Sequence, residues 1–319
     1  MRNEIININP LCDFGFKRIF GTEENKDVLI SFLNACISKD VGIITDIEYL
    51  NTELLGQHPE EKHVIFDVYC TNQEGDRFII EMQRGRQNHF SNRVLTYVSR
   101  VISQSVERGN GWYDFPNIYS FNILDFDANE FRNRERFFWR ISLKDDDNEV
   151  FSRKVTMYFV ELRKFAGQVR EMSEGDEMTQ WLYVLKNIQQ LKREQLPSDN
   201  SAFDRFFELC NYSKLNVMEQ EDYKKSLLDY EGVQNMLACT LEDGIAEGLK
   251  RGLKEGMEKG MEKGIEKGIE KGIEKGIEKG KTEMQLQVAR QMIAMGMAVP
   301  TVAKATGLSE EEVGRTVGQ

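Results

Sequence analysis

A chain of 319 residues with 40% hydrophobic content can bury a real core, which excludes a wholly disordered protein. The formal net charge of −11 excludes passive coating of nucleic acid, so any DNA contact must come from a local basic surface. The first residues lack a secretory apolar region, and no run reaches the roughly 18 to 20 apolar residues of a membrane span. The five cysteines form no CxxC pair, and the expected location is a reduced cytoplasm without membrane contact.

The first half of the chain alternates between helix-like and strand-like patterns. CDFGFKRIFG leads into KDVLISFLNACI, whose apolar residues follow helical spacing, and another helix is predicted at about residues 88 to 107. Strands are predicted at about residues 43–53, 63–71, 77–83, 117–125, 135–143 and 154–161. The order α, β, β, β, α, β predicts an α/β core over residues 1–165, and a helical extension packed on it over residues 166–243.

The stretch HVIFDVYCTNQEGDRFIIEMQ predicts a hairpin whose short loop places Gly75 at a positive φ angle. If the loop is centred on Glu74, the register places Asp67 across from Glu81. Because side chains alternate along a strand, one face should be core and the other should carry converging polar groups. The predicted core face holds Phe66, Val68, Cys70, Phe78, Ile80 and Met82, and the other face holds Asp67, Tyr69, Ile79, Glu81 and Gln83.

Two carboxylates that face each other across a strand pair, with Cβ atoms about 4.5 to 5.5 Å apart, repel unless positive charge neutralises them. Mg²⁺ fits, because it takes oxygen ligands and is typically held by one or two carboxylates. A lone acid on a strand is more often a solvated residue of an outer face. Glu81, however, follows Phe-Ile-Ile and precedes Met, and buried strands rarely carry an unpaired charge. The pair therefore predicts a metal site.

A basic segment follows the hairpin. Residues 84 to 108 carry five arginines and one acid, a local balance of plus 4. In the predicted helix, one stripe is apolar and another carries Arg93, Tyr97, Arg100 and Gln104. Arginine and tyrosine bond phosphate oxygens without reading bases, which suits DNA binding of low sequence specificity. The alternative is an ordinary solvated helix face.

The arrangement of Asp67 on one strand and Glu81-Met82-Gln83 on the next resembles the signature of the PD-(D/E)XK nuclease superfamily, as D...ExQ. The phrases CDFGFKRIFG, IIEMQ, RVLTYVSR and NIYSFNILDF, within about residues 9 to 240, are similar to its family of recombination-promoting nucleases and transposases. The resemblance implies a restriction-endonuclease-like α/β fold. It also implies a bacterial enzyme of gene transfer or mobile elements that cuts DNA phosphodiester bonds with Mg²⁺ or Mn²⁺.

By the same resemblance, Asp67 and Glu81 would ligate the metal with the backbone carbonyl of Met82, and Gln83 would occupy the position of the catalytic lysine. Glutamine can only orient groups by hydrogen bonds, whereas lysine offers positive charge. The residues expected to bind DNA are Lys17, Arg84, Arg86, Arg93, Tyr97 and Arg100, and the first three are candidates for the missing charge. The alternative function is a catalytically weakened nuclease-fold protein that acts by binding DNA or proteins.

A short-period repeat begins in the second half of the chain. From Gly244 to Gly280 a glycine recurs at every fourth position, and most tetrads read I-E-K-G or M-E-K-G. A stripe of period four drifts by about 40° per tetrad around a helix, so no straight partner can follow it. Each glycine also costs about 0.8 to 1 kcal/mol relative to alanine. Residues 244–281 are therefore expected to be a poor helix in isolation, either a linker, which is favoured, or an assembly helix that forms a homo-oligomer along its glycine rows.

The tail, residues 282–319, contains three short helical patterns and looks similar to a helix-turn-helix. Pro300 can open the second helix, Gly307 closes it, and Ser309 with Glu312 predicts a capping box for the third. The third helix begins with three glutamates, which DNA phosphates should repel. Protein contact or plain helical packing is therefore favoured over DNA reading.

Overall fold

The computed structural model describes residues 7–54, 64–85, 89–106, 113–128, 130–131, 135–169, 175–196 and 200–317. The chain divides into two compact units, Met1–Cys239 and Thr240–Gln319. The first unit is built on a six-stranded sheet with helices on both faces, which confirms the predicted α/β class. In the part of the chain that the structure describes, no helix has the length and apolar content needed to cross a membrane.

Eight strands in the described residues build two sheets. They are β1 (Ile47–Tyr49), β2 (Glu53–Leu54), β3 (Val64–Ile65), β4 (Val68–Asn72), β5 (Arg77–Gln83), β6 (Ile118–Leu124), β7 (Phe138–Lys144) and β8 (Val150–Glu161). The large sheet has the order β1-β4-β5-β6-β8-β7, and β2 pairs with β3 in a small second sheet. β5 is antiparallel to β4 and parallel to β6, and β6 is parallel to β8.

The sequences of β5, the second strand of the hairpin, and of its neighbour β6 are mostly apolar because both faces of the sheet are covered. β5 is buried over nearly all of its length and β6 over all of it, and β5 has the predicted bounds. The prediction of a single strand at residues 43–53 is wrong, because β1 and β2 occupy that segment and belong to different sheets. The physical cause is a turn in which the Asn51 side chain accepts from the Glu53 N–H at 3.0 Å, which separates the two strands.

In the described residues of the first unit, helices cover both faces of the large sheet. The described residues of the two units together contain nine α-helices. They are α1 (Asp13–Phe20), α2 (Lys26–Val41), α3 (Phe90–Ser105), α4 (Leu162–Gln168), α5 (Glu177–Asn187), α6 (Ser201–Cys210), α7 (Val217–Ala294), α8 (Val299–Thr306) and α9 (Glu310–Val317). α3 buries Val94 and Val98 on the face that carries Ile79. Trp181 of α5 and Phe203 of α6 pack on the opposite face, so the helical stretch after β8 shares a core with the strands.

The two faces of the hairpin differ from the prediction in two respects. Phe66 packs beside Tyr69 and Tyr97, with ring centroids 5.2 Å apart in each pair, and so lies on the α3 side. Residues 66 and 67 lie between β3 and β4 rather than within a strand, so the alternation of side chains is interrupted there. The face predicted to be polar is also partly apolar, because α3 buries Tyr69 and Ile79. The other five residues of the predicted core face, Val68, Cys70, Phe78, Ile80 and Met82, share one cluster as predicted.

The second unit contains most of α7 and the two C-terminal helices. α7 is helical through the whole tetrad repeat, although the sequence predicted a poor helix for this segment in isolation. A helix satisfies its backbone hydrogen bonds within itself, so it needs no partner for that purpose. The apolar residues of the repeat are exposed along the described helix. Whether the segment acts as a linker or assembles with copies of itself stays a prediction.

The boundaries of the two C-terminal helices have the features that the sequence predicted. Pro300 lies in the first turn of α8, and Gly307 ends that helix with a φ of 74°. The Ser309 N–H donates to Glu312 Oε2 at 2.8 Å, and the Glu312 N–H donates to Ser309 Oγ at 3.2 Å, which confirms the capping box. A small buried cluster joins the end of α7 to α8 and α9; it consists of Ala289, Val302, Ala303 and Val313.

Alanine substitutions test the state of the repeat. Replacing Gly260, Gly264, Gly268 and Gly272 should raise the helicity of a peptide of residues 241–283, because each change removes about 0.8 to 1 kcal/mol of glycine cost. Apart from the two chain neighbours of each glycine and the nearby backbone of the same helix, no atom of the described residues lies within 4 Å of the added methyl groups. The measurement is far-ultraviolet circular dichroism over a range of peptide concentrations. A fall in helicity would contradict the linker interpretation, since it would mean that the glycine rows pack against another helix.

Candidate active site

The hairpin of β4 and β5 brings together two acids, Asp67 and Glu81, called here the hairpin acids. Val68 pairs with Ile80, which is the predicted register, and Gly75 has the predicted positive φ of 84°. Just beyond that pair, the Asp67 N–H donates to Glu81 Oε1 at 3.2 Å. The N–H of Met82 donates to Asp67 Oδ2 at 2.8 Å. The two carboxylates therefore lie side by side where β5 ends.

The hairpin acids lie in an environment that opposes their negative charge. Burial, and after it the charge of Asp67, raises the pKa of Glu81 to about 8. Burial also raises the pKa of Asp67, while the Met82 N–H and the charge of Lys17 act in the opposite direction. Strongly shifted pKa values of this kind cluster at functional sites. The pair would be stabilised by additional positive charge.

Two further carboxylates lie at the same edge of the sheet, because parallel strands end at a common edge. Asp125 follows β6 and forms a salt bridge with Lys186 at 2.6 Å, and Glu161 ends β8 and forms one with Lys164 at 2.7 Å. Both acids are almost completely buried, and a lysine neutralises each of them. Within the described part of the chain, neither hairpin acid forms a salt bridge. The hairpin acids are therefore the pair at this edge that could hold a cation.

The donor set fits a small divalent cation that prefers oxygen. Mg²⁺ commonly binds through one or two carboxylates and keeps several waters. No group of three or more His, Cys, Asp or Glu side chains in the described residues is arranged to hold a metal. The side-chain ligands at this site would therefore be the two carboxylates of the hairpin acids. The backbone carbonyl of Met82 as a further ligand stays a prediction.

Gln83 and Arg93 extend the polar line that starts at Glu81. Gln83 Nε2 donates to Glu81 Oε2 at 3.0 Å, and Arg93 Nη2 donates to Gln83 Oε1. Tyr97 lies one turn further along α3, and the Arg93 guanidinium is 5.8 Å from the centre of its ring. Burial raises the pKa of Tyr97, and the charge of Glu81 raises it further. Arg93 and Tyr97, two of the four residues of the predicted stripe, therefore lie beside the hairpin acids.

A cleft of about 350 Å³ contains these groups. One wall comes from α7, through Val233 and Met236. A methyl group on Gly85 would meet Val233 Cγ1 at 2.6 Å, so α7 packs directly on the loop after β5. This contact could not be predicted from the sequence, because nothing in the local pattern of α7 links it to β5.

The structure describes three of the other predicted DNA-binding residues, Lys17, Arg84 and Arg100. Lys17 lines a second cavity of about 770 Å³ and forms a salt bridge with Asp13 at 3.0 Å. Arg84 lines both cavities. Arg100 is half-buried about two turns further along α3 than Arg93. Arg86 lies outside the described residues.

Asp125 holds α7 beside the cleft through hydrogen bonds, a role that was not predicted from the sequence. Its backbone N–H donates to the carbonyl of Gln83 at 2.9 Å. Its carboxylate accepts from Lys186 at 2.6 Å, from the Tyr230 hydroxyl at 2.6 Å and from Gln234 Nε2 at 3.1 Å. A signal was available, since an acid directly after an apolar parallel strand lies at the edge where α/β sheets bind ligands.

A mixed sheet covered by helices, with an Asp and a Glu-x-Gln set at the end of a central hairpin, defines the class of restriction-endonuclease-like nucleases. The chain belongs to the PD-(D/E)XK nuclease family transposases, whose family model matches residues 10–238. Residues 282–314 match the C-terminal HTH domain of the Rpn/YhgA-like nuclease family, which confirms the predicted similarity to a helix-turn-helix. No curated protein and no solved structure matches the chain. Both family matches support a nuclease or transposase-like role.

The raised pKa of Glu81 predicts that the free energy of unfolding of the metal-free protein depends on pH. The folded carboxyl has a pKa of about 8 against an ordinary value of 4.5, so the folded state binds the extra proton and loses stability as the pH rises through that window. Glu81→Gln should therefore raise the free energy of unfolding at about pH 8.5 by at least about 1 kcal/mol, and by less at about pH 5.

Urea unfolding in EDTA at the two pH values measures this difference. Glu74→Gln is the matched control, because Glu74 is exposed in the loop of the same hairpin, and it should give no gain at either pH. A gain for Glu81→Gln that is equal at both pH values would contradict the assignment of the buried charge.

Proposed function

We propose that the chain is a metal-dependent DNA endonuclease that hydrolyses phosphodiester bonds with low sequence specificity. The observation that carries the proposal is the hairpin register, which holds two carboxylates side by side in a cleft with Gln83 and Arg93. Membership of the family supports nuclease chemistry, and nucleases of this class generally use divalent metals. The same membership supports the proposed role in recombination or transposition.

The hairpin acids would hold the cation, Mg²⁺ or Mn²⁺, together with the carbonyl of Met82. Such a cation lowers the pKa of a bound water and offsets negative charge at the phosphate. In the hydrolysis, the water gives up a proton to the solvent and its oxygen forms a bond to phosphorus. The bond from phosphorus to the leaving oxygen breaks, and that oxygen takes up a proton from the solvent. Gln83 keeps the Glu81 carboxylate in position through its amide N–H. Both carboxyl groups must be deprotonated in this state.

The DNA strand would lie along the basic side of the cleft. Arg84, Arg93 and Tyr97 line the cleft and can bond phosphate oxygens. Phosphate contacts position a strand but do not read its bases, which is the reason for the proposed low specificity. Lys17 and Arg100, further from the hairpin acids, would contact the phosphates on either side.

Two partner assignments concern the second unit. Its match to an HTH domain favours DNA as a partner, whereas the three glutamates at the start of α9 disfavour phosphate contact by that helix. A homo-oligomer through residues 244–281 would use the exposed apolar residues of the repeat. The peptide experiment on the repeat tests the second assignment.

A second candidate is a nuclease-fold protein that binds DNA or proteins without efficient cleavage. Gln83 is the observation that favours it, because a neutral amide stands where the family signature has lysine.

A plasmid assay separates the two candidates. Supercoiled plasmid should be nicked by the full-length protein with Mg²⁺ or Mn²⁺, and EDTA should stop the reaction. Asp67→Asn and Glu81→Gln should each lower the rate by at least about 100-fold, the scale expected when a charge-stabilising group is lost. Glu74→Gln, exposed in the same hairpin, should nick at the wild-type rate. Nicking that survives in either site variant would exclude the hairpin acids as ligands, and plasmid binding without nicking would favour the second candidate.

A further inference from the structure

Resting on the proposed function, we infer that Arg93 supplies the positive charge that a lysine at position 83 would bring to an acid-x-lysine site, with Gln83 as the link. Toward the hairpin acids Arg93 acts through Gln83 as a positioning residue, and toward the DNA it adds one positive charge to the cleft that it lines. The guanidinium is planar and carries several N–H donors along with its positive charge.

The Gln83 side chain is held between a carboxylate and a guanidinium. Its Nε2 donates to Glu81 Oε2 at 3.0 Å, and its Oε1 accepts from Arg93 Nη2. A carboxylate only accepts and a guanidinium only donates, so a flipped amide would face acceptor with acceptor and donor with donor. Gln83 is also buried, which limits competition from water. The amide dipole is therefore fixed with its positive end toward Glu81.

The packing of α3 places Arg93 at the cleft. Phe90, Val94 and Val98 of this helix are buried against the sheet, and Arg93 precedes Val94 at the margin of that apolar stripe. Arg93 is half-buried and lines the same cleft as the hairpin acids. Gln83 hydrogen-bonds both Glu81 and Arg93, so the guanidinium lies on the side of the pair that Glu81 occupies.

The other nearby cations have different positions. The Lys17 ammonium lies 3.0 Å from a carboxylate oxygen of Asp13 and lines the larger neighbouring cavity. Arg84 borders both cavities. Among the described residues, Arg93 is the basic side chain that hydrogen-bonds Gln83.

A charge swap in the full-length protein tests the inference. Arg93→Gln removes the charge and leaves a shorter side chain that still carries an N–H donor, and it should lower the nicking rate at saturating DNA by about 100- to 1,000-fold. Adding Gln83→Lys to that variant should restore at least about 10-fold of the loss. Arg93→Lys should retain more activity than Arg93→Gln. Arg153→Ala removes an exposed arginine of β8 and should leave the rate unchanged.

A second readout needs neither metal nor cleavage. In EDTA, the logarithm of the binding constant of a duplex oligonucleotide is measured against the logarithm of the salt concentration. Arg93→Gln should reduce this slope by about 1, as expected for the loss of one phosphate-neutralising charge, and Gln83→Lys should restore it. A purely structural role for Arg93 would not produce this return. Thermal unfolding of each variant confirms that the fold is intact.

The outcomes separate this inference from the proposed function. A wild-type protein that never nicks DNA, combined with the expected slope changes, would overturn the endonuclease but support the charge assignment. Wild-type nicking and an unchanged slope in Arg93→Gln would overturn the inference. A folded double variant that recovers neither the rate nor the slope would overturn it as well.

Discussion

Asp67 and Glu81 carry charge of the same sign when both are deprotonated, and the pairing of β4 with β5 leaves them side by side at the end of a buried strand. Burial raises the pKa of both carboxyl groups, and the charge of Asp67 adds to the effect on Glu81. The chain keeps this unfavourable pair although it supplies lysines to Asp125 and Glu161 at the same edge of the sheet. A cost of this kind is expected where a site is prepared for an external cation.

The hairpin and its two acids could be predicted from the sequence because local rules determine them. Gly75 requires a turn with positive φ, the turn sets the register, and the register sets the partner of Asp67. The apolar run of β5 also made Glu81 conspicuous as a buried charge. The same reasoning failed at Phe66, because alternation holds only within a strand and residues 66 and 67 interrupt it.

The surroundings of the acids depend on contacts between distant segments, which the sequence does not encode locally. Arg93 was predicted as a phosphate ligand on a helix stripe, but only the packing of α3 on the sheet brings it to Gln83. The α7 wall depends on Tyr230 and Gln234, which reach Asp125 from more than a hundred residues away. For the repeat, the free-energy cost of the glycines predicted a poor helix in isolation, whereas the structure has a continuous helix there.

Calorimetric titration of Mn²⁺ or Mg²⁺ into the metal-free protein at about pH 7 measures the central property directly. We expect uptake that Asp67→Asn and Glu81→Gln each abolish. Because the pKa of Glu81 is about 8, its carboxyl is largely protonated at that pH, and binding should release a proton that appears as a dependence of the heat on the buffer. A wild-type protein that takes up no ion, or variants that take up as much as the wild type, would contradict a metal site at the hairpin acids.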